Sequence, residues 1–98
     1  MSRRRALRID ANQPPTVNLL RSVGWSVSVT SSLGDGFPDL VCSRKGFTAV
    51  VELKNREGGG MTLTDDEVKF RDDWQGPYVL ADGPEDALSK LEAAREAA

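Results

Sequence analysis

Residues 38–54 constrain this chain more than any other stretch. They read Pro-Asp-Leu-Val-Cys-Ser-Arg-Lys-Gly-Phe-Thr-Ala-Val-Val-Glu-Leu-Lys, two alternating runs interrupted at Lys45-Gly46. Gly46 tolerates positive φ, so Lys45-Gly46 can serve as a two-residue hairpin turn. That turn fixes an antiparallel register in which Asp39 stands opposite Glu52. Residues so opposed have β-carbons about 4.5–5.5 Å apart. Alternation sends Leu40, Cys42, Ala49, Val51 and Leu53 to one face, which is apolar throughout and needs a helix to cover it. Asp39, Val41, Ser43, Thr48, Val50, Glu52 and Lys54 share the other face, apolar in the middle and charged where Asp39 and Glu52 lie.

Two carboxylates directly opposed destabilise a strand pair. Either one takes up a proton or a cation occupies the gap. Magnesium prefers a few carboxylates together with water and phosphate oxygens. Lys54, on the same side as Glu52, then aims its charge at an attacking water or at charge developing on phosphorus. The alternative is a surface hairpin whose charges are simply solvated.

Composition removes most other chemistries. With no histidine there is no histidine-based acid–base catalysis, no Ser-His-Asp triad and no histidine metal ligand. A single cysteine, Cys42, leaves no internal disulfide and no multi-cysteine zinc site, and reads as a small core residue in a reducing, cytoplasmic setting. Ninety-eight residues, 39% of them hydrophobic, make one domain. No apolar run reaches the ~18 residues of a membrane span, and Arg3-Arg4-Arg5 is not followed by the apolar stretch of a secretory signal. The net charge is −2, yet Arg3, Arg4, Arg5 and Arg8 precede the first acid. Residues 1–9 thus read either as a basic, phosphate-seeking arm or as a solvated terminus. The expected domain spans 10–92, with 93–98 as a fraying tail.

The remaining chain reads as alternating elements. Asn12 is placed to cap a helix with proline in its first turn, continuing through Val17, Leu20 and Val23 to Gly24. Trp25–Thr30 alternates apolar and hydroxyl residues, as a half-buried strand does. Asn55–Gly60 is a glycine-rich loop, either closing over a ligand or merely connecting. Thr64 and Glu67 form a capping box, with Leu63 placed to staple to Val68. Phe70 and Trp74, four apart, are expected to face the core. Tyr78–Ala81 is a short strand, and Gly83-Pro84 opens a last helix with Ala87, Leu88 and Leu91 inward. The order is αβββαβα, an α/β (α+β) fold with a small mixed sheet flanked by helices. The crossover helix makes the fourth strand parallel to a neighbour.

On this arrangement the chain resembles the PD-(D/E)XK nuclease superfamily, and within it the small VRR-NUC-type phage and bacterial proteins. The resemblance rests on Asp10-Ala11-Asn12-Gln13, Gly34-Asp35-Gly36-Phe37-Pro38-Asp39-Leu40-Val41, Val51-Glu52-Leu53-Lys54, Leu63-Thr64-Asp65-Asp66-Glu67 and Glu85-Asp86-Ala87-Leu88, in that order. It implies a restriction-endonuclease-like core and a Mg²⁺- or Mn²⁺-dependent endodeoxyribonuclease, acting in phage or mobile-element DNA metabolism on branched or nicked DNA. Asp39, Glu52 and the Leu53 carbonyl would hold the metal, and Lys54 would orient the water or offset transition-state charge. Such families carry a further acid on the first helix. This chain has no glutamate before Glu52, so Asp10 is the candidate ligand and Gln13 a polar substitute. Glu67 stands where relatives place a glutamine, and its capping role competes with a supporting one. Candidate DNA contacts are Arg3, Arg4, Arg5, Arg8, Arg44, Lys45, Arg56 and Lys69. Recognition of a DNA structure by so small a chain would call for a homodimer. A catalytically inactive nuclease-fold module that binds DNA or protein is the competing reading.

Overall fold

A computed structural model describes residues 11–57 and 59–98. The elements are α1 (Gln13–Ser22), β1 (Ser26–Val29), β2 (Leu40–Arg44), β3 (Phe47–Leu53), α2 (Asp65–Asp73), β4 (Tyr78–Ala81) and α3 (Pro84–Ala97). The four strands form one sheet in the order β1-β2-β3-β4. The first three meander antiparallel, and β4 returns parallel to β3 after the α2 crossover. This is the αβββαβα order expected from the chain.

The hairpin register is the expected one. Leu40 pairs with Val51, Cys42 with Ala49 and Arg44 with Phe47. Lys45 and Gly46 both have positive φ, 50° and 85°, as a type I′ turn requires. The apolar face of the hairpin is the core: Leu40, Cys42, Ala49 and Val51 are fully buried and Leu53 nearly so. Val17 and Leu20 of α1, Ala87 and Leu91 of α3, and Trp25, Val27, Val79 and Ala81 complete it. Two helices therefore cover one face of the sheet, and the amphipathic pattern of each follows from that single contact.

The opposite face is covered sparingly by α2. The capping box is present: Glu67 N–H donates to Thr64 Oγ1 (3.2 Å) and Thr64 N–H to Glu67 Oε1 (2.8 Å). No residue of α2 is buried. Phe70 and Trp74, expected in the core, lie outside it. They stack on one another (centroids 5.2 Å), and Phe70 meets Phe37 (5.0 Å) and Tyr78 (6.4 Å) edge-on or tilted. Four-residue spacing shows that two side chains share a helix face, not what that face meets. Here it meets a loop and the rim of the sheet.

Two helix ends also differ from expectation. Asn12 makes no capping hydrogen bond. Its Nδ2 instead donates to the carbonyl of Asp82 (2.8 Å) and approaches that of Lys54 (3.5 Å), pinning the start of α1 to the ends of β3 and β4. Residues 93–97, expected to fray, continue α3, where Arg95 pairs with Glu92 (2.9 Å) and Glu92 accepts from the Trp25 indole (3.0 Å). Among the described residues, no helix is long and apolar enough to cross a membrane.

Candidate active site

Pro38-Asp39 is placed by contacts from both sides. Thr30 donates its N–H to the Asp39 carbonyl (2.7 Å) and its hydroxyl to the Pro38 carbonyl (2.8 Å). Pro38 is fully buried. The preceding loop turns at Gly36 (φ 78°), where a β-carbon would stand 2.3 Å from the Asp66 carbonyl oxygen. Only glycine permits this approach, so the loop carrying Asp39 abuts the first turn of α2.

Asp39 lies one step beyond the last ladder pair, Leu40–Val51, on the side where β3 continues to Glu52. Asp39 Oδ2 accepts the Leu53 N–H across the hairpin (2.8 Å). Lys54, two residues beyond Glu52 on the same face, places Nζ 3.7 Å from Glu52 Oε2 and 2.7 Å from Glu67 Oε1. The β3–β4 register puts Tyr78 beside Val50, on this same face. One ammonium thus sits among three carboxyl groups drawn from the residue before β2, from β3 and from α2.

The electrostatics follow from burial. Glu52 is only 4% exposed. Burial, then the charges of Asp39 and Glu67 and the side-chain approach of Glu67, push its carboxyl up to about 9 against the weaker pull of Lys54. Burial also opposes the charge on Lys54, but the hydrogen bond and charge of Glu67, with Glu52 and Asp39 behind it, hold the ammonium above its usual value. Burial works against ionised Glu67 too, and is outweighed by donation from Lys54 and from Thr64 N–H, which keeps this carboxyl low. One Glu67 oxygen, Oε1, both closes the capping box and accepts from Lys54. Cys42 lies in the core, its thiol pushed up to about 12 by burial, so it is no nucleophile.

Among the described residues, no three acidic, cysteine or histidine side chains are grouped to hold a metal ion. The side-chain donors available are the two carboxylates Asp39 and Glu52, with the Leu53 carbonyl next in the chain. Hard oxygens of that number suit magnesium, which usually takes one or two carboxylates and keeps its other positions for water and phosphate. The residues present fit the ion.

The other expected residues scatter. Arg3, Arg4, Arg5, Arg8 and Asp10 lie outside the described residues. Gln13 is 5% exposed, at the start of α1 that Asn12 ties to the site end of the sheet. Arg56 follows Lys54 closely but pairs with Asp82 (2.8 Å). Lys69, exposed on α2, pairs with Asp73 (3.1 Å). Arg44 and Lys45 are at the far end of the hairpin, about 17 Å or more from Asp39 at 3.4 Å per residue. There Arg44 donates to the Val23 carbonyl at the end of α1. A shallow groove of about 330 Å³ lies along α2, lined by Asp35, Asp66, Lys69, Phe70, Asp73 and Trp74. It contains none of the converging acids, and its open, acidic lining offers no reaction chemistry, so the acids and not the groove mark the site.

Sequence reasoning missed Thr30, Asn12 as an anchor, and Tyr78. Thr30 had a faint signal as the last hydroxyl of an alternating strand. The other two had none, because their partners lie far along the chain.

The fold and site define an α+β protein with a four-stranded mixed sheet and an acid–lysine centre on its thinly covered face. Comparison with protein-family models, curated proteins and solved structures found no match.

Proposed function

We propose that the protein is a metal-dependent endonuclease that hydrolyses DNA phosphodiester bonds. The observation that carries the reading is the convergence of Asp39, Glu52 and Lys54 on one sheet face, with Glu52 buried beyond what its charge tolerates unaided. Asp39 and Glu52 are the residues that would hold Mg²⁺ or Mn²⁺, with the Leu53 carbonyl beside them. Such an ion supplies Lewis-acid stabilisation of charge at the phosphoryl oxygens. Lys54, kept charged by Glu67, offers a donor to the attacking water or to the oxyanion that develops on phosphorus. Arg56 and Lys69 are exchangeable phosphate contacts in this reading, their surface pairs being weak enough to trade. DNA as the substrate, preference for branched or nicked forms, and action as a homodimer belong to this reading and rest on the motif resemblance.

The test is nicking of supercoiled and branched DNA with Mg²⁺ and with EDTA. Asp39→Ala and Lys54→Ala are expected to lose activity by on the order of 100-fold or more. Activity equal to the parent in both variants rejects the site. A second reading, an inactive DNA- or protein-binding module, is favoured by the 2.7 Å Lys54–Glu67 pair, which already occupies the ammonium. It predicts DNA or partner binding that survives EDTA and both substitutions.

A further inference from the structure

Tyr78 opens β4 beside Val50, so its side chain shares the face that carries Glu52 two residues on. Its ring lies 6.4 Å from that of Phe70, one turn beyond Glu67 on α2. Its hydroxyl is buried and has no hydrogen-bond partner among the described residues. A buried polar group left unsatisfied is destabilising and uncommon enough to need a reason. The field at this hydroxyl comes from the site: after burial, Glu52 and Glu67, with a lesser share from Asp39, push its pKa up to about 12. Arg71 alone opposes them.

Several donors around the acids are already engaged. Leu53 N–H is given to Asp39, Thr64 N–H to Glu67, and Lys54 sits closer to Glu67 than to Glu52. Carboxylates that ligate a metal are themselves hydrogen-bonded by outer groups, and losing such a group typically weakens metal binding 10–100-fold. We propose that Tyr78 is a positioning residue of the acid centre, its hydroxyl being the donor that orients the Glu52 carboxylate when Asp39 and Glu52 hold a divalent cation. The inference rests on the reading of those two acids as the metal-holding pair. It assigns the hydroxyl to the loaded site.

Tyr78→Phe removes the oxygen alone and leaves the ring against Phe70. Saturable Mn²⁺ binding, followed by calorimetry on the whole chain, is the readout, with thermal unfolding in EDTA beside it. Affinity for Mn²⁺ is expected to fall about 10-fold, while the metal-free Tm stays level or rises because an unsatisfied group has gone. Equal affinity in parent and Tyr78→Phe overturns the assignment and leaves the Asp39–Glu52 centre standing. A lowered metal-free Tm accompanying the loss of affinity marks the hydroxyl as a fold contact and also overturns it. Absence of saturable Mn²⁺ binding in the parent removes the centre, and the assignment with it.

Discussion

Glu52→Gln should make the metal-free protein more stable at neutral pH, by an amount that depends on pH. In the folded protein Glu52 keeps its proton up to about pH 9, whereas an ordinary glutamate releases it near 4.5. Between those values the folded state holds one proton more than the unfolded chain, so stability falls as pH rises. The contribution is complete below about pH 4.5 and lost as pH passes through about 9. At 1.36 kcal/mol per pH unit, the 2.5 units between 4.5 and 7 amount to about 3.4 kcal/mol. Relaxation and water entry at the thinly covered face reduce this, and a difference of about 1.5–3 kcal/mol at pH 7 is expected. Glutamine keeps the shape and carries no charge at any pH. Carboxyls held low in the folded state, such as Glu67 and Asp86, lose stability in the opposite sense, as pH falls, but they are common to both proteins. Urea unfolding followed by circular dichroism at pH 5, 6, 7 and 8 gives the difference directly. It should be small at pH 5 and widen upward, each kcal/mol being worth about 4–8 °C in Tm for a domain of this size. Mn²⁺ should restore the parent at pH 8 and do little for Glu52→Gln. Parallel stability profiles for the two proteins would refute the account of Glu52.

Two further substitutions test how the site is held. Gly36→Ala combines a left-handed φ with a β-carbon 2.3 Å from the Asp66 carbonyl oxygen, so it should destabilise by about 2 kcal/mol or more and lower DNA nicking by displacing Asp39 from α2. Unchanged urea midpoints would show that this approach is not required. Lys45→Asn replaces a residue strained at φ 50° with one that accepts the left-handed region, at a turn remote from the acids. It should stabilise by about 0.5–1 kcal/mol with nicking unaltered, and a lower Tm would contradict the type I′ assignment.

Much of the frame was legible in the chain because local rules specify it. Period-two alternation about Lys45-Gly46 set the hairpin register, since a slip of one residue would turn every apolar side chain of β2 and β3 to the wrong face. The Thr64–Glu67 box located α2, and the crossover made β4 parallel. Local rules also misled. Asn12 has the identity of a cap and yet serves as an anchor to Asp82. Phe70 and Trp74 have core-like spacing but lie on a helix none of whose own residues is buried.

The sequence by itself determined which side chains could share a face and which strands could pair, because those depend on spacing and turn chemistry within a few residues. Only the tertiary structure decided that burial pushes the Glu52 carboxyl up, that Glu67 grips Lys54 and that the Tyr78 hydroxyl is buried. Those properties are sums over charge and burial from segments separated along the chain, and the interior they create exists only once α2 has closed over the sheet.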